Sequence, residues 1–235
     1  GWNNAKFEQV PLLLTLGPKP EYKLGNIVIP YHNSRPEFKP SVLQTQSLTK
    51  RTIALAYFYG TATPRKTRPE FQQVVNTEYT DSSFRGMPFV VQRIKQWTDK
   101  RQEYVYQTYR QSIFCPCLPG DNAPQKRFFD VIMSGCLPVV LSFESRVEGK
   151  RSWFKPKRAS VESSYPFSKG VFDESLEIDY ESFVVQVPDS VDNIKPTLEA
   201  LLANPEELVR RQTNMMKYAV RLSYGTGKDA HKYDD

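Results

Sequence analysis

Histidine and cysteine are scarce in this chain, two and three respectively among 235 residues. Cys115, Cys117 and Cys136 form an odd set at a spacing that fits no zinc site. His32 and His231 lie far from them in sequence, which argues against metal binding by thiolates. A single disulfide from Cys115 or Cys117 to Cys136 fits an oxidising compartment. No run of about 18 apolar residues occurs, so no segment reads as a membrane-spanning helix. The apolar stretch at 11–16 is too short for a signal peptide's apolar region and lacks a basic lead-in. The sequence has no repeat, no low-complexity tract and no Asp-x-Asp motif. It opens on Gly1 rather than Met, as a processed or truncated product would.

What is present is aromatic and basic. Fourteen Phe and 13 Tyr within a 39% hydrophobic composition supply ample core, which excludes a disordered or fibrous chain. Eighteen prolines predict short elements and many structured loops. The net charge is +6 and the pI about 9.1. Two basic clusters stand out: Arg65, Lys66 and Arg68, and Lys150, Arg151, Lys155, Lys157 and Arg158, the second interleaved with Trp153 and Phe154. Each reads either as a solvated loop or as an anion-binding patch.

Apolar runs at 26–30 (NIVIP), 53–59 (IALAYFY), 113–115, 137–142 (LPVVLS) and 183–187 (FVVQV) predict short strands, the second buried on both faces. Helical spacing predicts helices in part of 84–97, from Val91, Ile94 and Trp97, and at 103–111, 125–134, 192–202 and 205–218. Asn204-Pro205 opens the last of these. Pro124 is assigned to the first turn of the 125–134 helix, and Gly135 to the left-handed position just past its end. Residues 143–170 read as loop. Strands alternating with helices predict an α/β fold, a Rossmann-like parallel sheet with helices on both faces. Ligands of such sheets bind beyond the carboxyl ends of the strands.

The unit from 112 to 140 carries the chemistry: strand, glycine loop, helix, strand. Gly120 lets backbone approach a ligand closely. The helix N-terminus after Pro124 offers free N–H groups and partial positive charge, both favourable for phosphate. Lys126 and Arg127 oppose the helix dipole in that first turn and so need an anionic partner, which a diphosphate would supply. Arg127 and Asp130 are three apart and share a face. Either Arg127 grips phosphate while Asp130 accepts hydrogen bonds from ribose or sugar hydroxyls, or the two form an intrahelical pair. The first reading requires both to face a cavity rather than packed interior.

This stretch resembles the signature of the exostosin glycosyltransferases, S-x-F-C-L-x-P-x-G-D-T-x-x-S-R-R-x-F-D-A-I-x-x-G-C-I-P-V-I. Ser112, Phe114, Cys115, Gly120, Asp121, Arg127, Phe129, Asp130, Ile132, Gly135, Cys136, Pro138 and Val139 fall on it. Upstream, 26–31 (NIVIPY) and 57–60 (YFYG) resemble further family motifs, as do Pro166-Phe167, Ile178-Asp179-Tyr180 and 183–187 downstream. The resemblance covers roughly 25–222, leaving 1–24 as a lead-in and 223–235 as a polar tail. It implies the C-terminal, donor-binding domain of a GT-B glycosyltransferase, which transfers sugar from a nucleotide diphosphate sugar, UDP- or GDP-linked, to a glycan acceptor. The chain is too short for both GT-B domains, so it is expected to be the donor half of a larger polypeptide or a reduced homologue.

The resemblance assigns roles. Arg65 or Arg68 would neutralise the diphosphate leaving group. Ser112 and the backbone of Gly120, Asp121 and Asn122 would line the nucleotide pocket. Arg127 would hold the diphosphate, Asp130 hydroxyls, and Glu144 the donor sugar. No metal or further cofactor is implied, nor any nucleic acid, and the catalytic base is not placed. Family habit implies the lumenal side of the Golgi membrane, an anchor outside this chain and a complex with a related glycosyltransferase. Gln125-Lys126 replaces the family's Ser-Arg pair, and Cys115-Pro116-Cys117-Leu118 alters the loop; both bear on donor identity. Two other readings compete: a basic non-catalytic module for acidic glycan or nucleic acid, and a degenerate homologue that scaffolds.

Overall fold

The structure is a computed structural model that describes residues 13–15, 26–28, 47–60, 71, 83–84, 86–118, 125–141, 165–167, 177–187 and 191–222. Strands β1 (Leu13–Thr15) and β2 (Asn26–Val28) pair in parallel as a small sheet of their own. The main sheet is built from β3 (Ile53–Tyr59), β4 (Ser83–Phe84), β5 (Met87–Arg93), β6 (Ser112–Pro116), β7 (Leu137–Leu141) and β8 (Val185–Val187). Its order is β4-β5-β3-β6-β7-β8. Five strands run parallel, and only β4 is antiparallel, against β5. Helices α1 (Asp99–Gln111) and α2 (Lys126–Met133) connect β5 to β6 and β6 to β7, while α3 (Ile194–Leu202) and α4 (Pro205–Ala219) follow β8. The α/β class expected from sequence is thus observed.

The strand order contains one reversal. From β3 the chain goes to β5 on one side, then crosses back to β6 on the other. Crevices at such reversals, beyond the strands' carboxyl ends, are where open α/β sheets take ligands. Here that place lies between the ends of β3 and β6.

The core follows the pleat. Tyr57 and Phe58 point to opposite faces, as neighbours in a strand must. Phe58 meets Tyr104 and Tyr109 of α1 edge-on, at 5.8 and 5.6 Å. Tyr57 packs edge-on against Phe71 at 5.1 Å and stacks on Tyr59 at 5.8 Å. Phe128 of α2 stacks on Tyr165 at 4.4 Å beside Tyr180 and Phe183. The Tyr180 hydroxyl donates to the Pro166 carbonyl at 2.7 Å. The expectation of a helix in part of 84–97 is overturned: 87–93 is strand β5, and 94–97 is irregular. Phe89, Val90 and Val91 favour a pleated surface. Gly86, at φ 79°, makes the tight reversal between β4 and β5. Helix α2 begins at Lys126 with Gln125 as its N-cap, and Pro124, expected in its first turn, lies outside the described residues. Gly135 does take the left-handed position, at φ 68°.

Two devices tie these elements together. Arg51, 4% exposed, donates to the carbonyls of Tyr109 (3.1 Å), Ser112 (2.6 Å) and Ser134 (3.1 Å). It thereby closes the ends of α1 and α2 onto the start of β6, and burial lowers its pKa to about 10. Cys115 and Cys136 form a disulfide between the neighbouring β6 and the lead into β7. Cys117 is the free thiol.

Replacing Arg51 with Met should cost about 3 kcal/mol or more in chemical unfolding, because three buried carbonyls lose their donor. Arg51→Lys should recover only part, since an ammonium cannot reproduce the planar fork. Reducing the Cys115–Cys136 bond, 21 residues apart, should lower stability by about 3 kcal/mol, read as a fall in the urea midpoint.

Candidate nucleotide site at the strand reversal

Beyond β6 the chain continues the ladder for one residue, the Cys117 N–H donating to Val139 O at 2.7 Å. It re-enters at Gln125, the N-cap of α2. The Gln125 side chain makes no capping bond to the first-turn N–H groups, and the first turn holds no acidic residue. Helix α2 buries Phe128, Phe129, Val131, Ile132 and Met133. These contacts fix its axis and place Lys126 and Arg127 at its open end.

Arg127 crosses to the end of β3, its guanidinium 4.9 Å above the Tyr57 ring. Nη1 is shielded from solvent and has no hydrogen-bond partner among the described residues. The neighbouring Gln125 Nε2 is in the same condition. Both are pure donors, so both call for an acceptor. Burial acts to lower the Arg127 pKa, but Tyr109, Tyr57 and Cys117, with a side-chain hydrogen bond to Tyr57, outweigh it, the net shift is upward, and the group stays cationic. Burial pushes the Cys117 thiol up to about 12 against the pull of Arg127, leaving it protonated and no nucleophile.

Asp130 is 9% exposed. Its two oxygens accept from Lys126 Nζ at 2.7 and 3.0 Å, and the same ammonium donates to the Tyr106 hydroxyl at 3.1 Å. Burial raises the Asp130 pKa, opposed by Lys126 and Arg127, with a net upward shift. One carboxylate therefore faces two cations, and the site carries excess positive charge whether Asp130 is ionised or not.

With this geometry in view, the likeness to known proteins becomes specific. The Exostosin GT47 domain model matches residues 19–201. The chain belongs to the exostosin GT47 family. It is 28% identical over 145 residues to "Probable xyloglucan galactosyltransferase GT15" of Arabidopsis thaliana, covering 60% of this chain and 30% of that one. It is 36% identical over 67 residues to "Probable xyloglucan galactosyltransferase GT13" of the same plant, covering 28% and 14%. The GT47 chain thus aligns with less than a third of either relative's length. Among solved structures, WaaG, a glycosyltransferase involved in lipopolysaccharide biosynthesis, matches with TM-score 0.47 at 11% identity over 92% of this chain and 62% of that one.

The sequence-derived site residues separate into three groups. Arg127 lies at the reversal with its Nη1 shielded and its guanidinium over Tyr57. Asp130 is beside it but corrects the expectation: its carboxylate is engaged by Lys126 rather than open to hydroxyls. Both are enclosed rather than lining an open cleft, so the condition that both face a cavity is not met among the described residues. Ser112 is also corrected. It begins β6 at the amino edge, is fully buried, and donates its hydroxyl to Thr108 O at 2.6 Å. A strand of five residues separates it from the carboxyl edge. Arg65, Arg68, Gly120, Asp121, Asn122 and Glu144 lie outside the described residues. Sequence reasoning missed Gln125 as a buried donor and Tyr57 as the platform under Arg127. The Lys126–Asp130 pair was legible in its i, i+4 spacing.

Lys126→Met should destabilise by about 1 kcal/mol at pH 7, a modest figure because Lys126 is half-exposed and screened. The loss should shrink toward pH 4. Without the ammonium the Asp130 pKa rises further, so the penalty exists only where the carboxyl is ionised and vanishes once it is protonated. Urea unfolding at the two pH values measures this.

Proposed function

We propose that this chain is the donor-binding half of a GT47 glycosyltransferase, holding a nucleoside diphosphate sugar at the α2 mouth for transfer to a glycan. The carrying observation is the pair of buried donors without acceptors, Gln125 Nε2 and Arg127 Nη1, at an uncapped helix N-terminus on the strand reversal. An unsatisfied buried donor is costly, and a bound diphosphate would relieve both. The same groups would stabilise charge that develops on the diphosphate as the sugar bond breaks. Tyr57 would keep the guanidinium in place as a flat cation–π support.

The remaining roles rest on resemblance. Arg65 or Arg68 would add positive charge to the leaving group, the 120–122 backbone would line the nucleotide, and Glu144 would touch the sugar. The donor is a UDP- or GDP-linked sugar, with UDP-galactose the first to try given the names of the relatives. A metal is not needed for this chemistry, since cationic side chains and helix N–H groups supply the charge. The acceptor is a glycan, and the base that activates its hydroxyl belongs to a part of the enzyme this chain does not place. A disulfide at Cys115–Cys136 fits an oxidising lumen such as that of the Golgi.

The test is a thermal shift with UDP, GDP and their sugars on the full chain. A ligand of the folded state raises the melting temperature. Arg127→Met should keep or raise the ligand-free melting temperature, because it removes an unsatisfied buried cation. It should abolish the nucleotide-dependent rise, a loss of about tenfold or more in affinity. A variant that loses stability yet still binds nucleotide would overturn the proposal.

A further inference from the structure

The α2 mouth holds a second cation that the donor reading leaves unused. Lys126 is the first residue of α2 and sits beside Arg127, yet its ammonium is turned to Asp130, one helical turn on. Helical side chains lean toward the N-terminus, which brings the Asp130 carboxylate within reach. The bonds are 2.7 and 3.0 Å to the two Asp130 oxygens and 3.1 Å to the Tyr106 hydroxyl. The Lys126 side chain is 49% exposed and that of Asp130 13%, so a surface stem meets an enclosed carboxylate. That flexible four-carbon stem can carry the ammonium to another anion at the same mouth. Glu207, more open to water, gives the contrast: hydrogen bonds from Arg210 hold it below the usual carboxylate range. At Asp130 burial outweighs the hold of Lys126, and the shift is upward.

The charged and titratable groups around Asp130 are Lys126 and Arg127 on α2, Tyr106 and Tyr109 on α1, and Cys117 just past β6. Tyr57 of β3 lies under the Arg127 guanidinium. Both cations stay charged: burial at Lys126 is outweighed by Asp130, and at Arg127 by the neighbouring hydroxyls and thiol. Burial pushes the Cys117 thiol up to about 12 and raises the Tyr109 hydroxyl as well. Phenols in general ionise only near about pH 10. Asp130 is thus the one member of this cluster that titrates between about pH 4 and pH 8.

A nucleoside diphosphate sugar brings a pair of negative charges to the mouth. Were Lys126 to keep its place, the ionised carboxylate would confront them across a poorly solvated gap. Were the ammonium to turn to a phosphate oxygen, an enclosed carboxylate would lose its cation, and such a group takes a proton instead. Both courses strengthen the hold of Asp130 on a proton. Linkage is reciprocal, so the proton strengthens the hold on the donor by the same factor.

We infer that Asp130 takes up a proton from solvent as the diphosphate enters and that Lys126 passes from its carboxylate to a phosphate oxygen, which makes donor affinity rise as the pH falls; this rests on the donor reading above. Lys126 is then a donor ligand held in reserve, and Asp130 the group that releases it.

Isothermal titration of the full chain with UDP-galactose and with GDP-mannose tests this. A diphosphate diester lacks the second phosphate ionisation near about pH 6, so protons taken up belong to the protein. Affinity for the donor that binds should rise about tenfold from pH 8 to pH 5. Buffers of different ionisation heat should show a net uptake of protons on binding. Asp130→Asn keeps the shape and removes the titration. It should bind at pH 8 as tightly as the parent does at pH 5, with no pH dependence and no proton uptake. Lys126→Met should weaken binding at pH 5 by about tenfold and flatten the profile. His32 and His231 lie outside the described residues, and Asp130→Asn separates their titration from that of the carboxylate. The proton count needs no variant, so a variant that fails to fold leaves the test intact. Donor bound without proton uptake overturns this inference alone. A pH dependence that persists in folded Asp130→Asn does the same. No donor bound at any pH overturns the donor reading and the proton linkage together.

Discussion

Two arginines, Arg51 buried whole and Arg127 partly exposed with its Nη1 shielded, mark the two edges of the sheet, and the difference between them organises the molecule. Arg51, at the amino edge, spends its guanidinium on three backbone carbonyls from α1, β6 and the end of α2. With those contacts the helices and the central strand are held at one end, and the opposite ends are aimed by rigid-body geometry. Arg127 sits at that opposite edge with Nη1 buried and without a partner among the described residues. Burying a cation is expensive unless its hydrogen bonds are met. The saturated arginine is thus accounted for by stability. The unsaturated one is a cost that the fold alone does not recover.

The strand order explains why the cost falls where it does. Had β5 been followed by a strand on its own far side, the ends of β3 and β6 would not flank a reversal. Because the chain returns across β3, the carboxyl ends of β3 and β6 flank the reversal, where open α/β sheets take ligands. Tyr57 is near the end of β3 and Arg127 lies in the first turn of the helix after β6, so the cation–π contact at 4.9 Å spans the reversal. The open N-terminus of α2 faces the same place, and no acidic side chain in its first turn competes for the position.

Much of this was legible in the sequence wherever a local pattern had no rival. IALAYFY is apolar throughout and became β3 at the expected bounds. Asn204 caps α4, its side chain accepting from the Glu207 N–H at 3.1 Å. Gly135 follows α2 because only a left-handed residue fits there. Reading failed where pairing decides. Val91, Ile94 and Trp97 are spaced by three, yet 87–93 is a strand because β3, some 30 residues upstream, offers a partner edge. No window of local sequence shows that edge. Ser112 failed for a different reason: a motif match gave it a pocket role, although the first residue of a parallel strand must lie at the edge away from the ligand. Asp130 lies beside Arg127 as the spacing of three suggested, but its carboxylate is taken by Lys126, four residues back, rather than left for hydroxyls. A helix allows both spacings, and the crevice drew Arg127 away toward Tyr57.

That division of labour between the two cations has a consequence for the chemistry. An Arg127–Asp130 pair would have neutralised the guanidinium and left the α2 mouth with little attraction for a diphosphate. By taking Asp130, Lys126 keeps the carboxylate from Arg127 at close range while sparing the interior a second unpaired charge. The Tyr106 hydroxyl, in reach of the same ammonium, helps hold it in that position. The family's Ser-Arg pair is Gln125-Lys126 here, and the two substitutions serve different ends. Gln125 contributes a donor beside Arg127, and Lys126 removes an acceptor from it. The unmet donors are thus Gln125 Nε2 and Arg127 Nη1, and a polyanion is a ligand for which such a surplus is favourable.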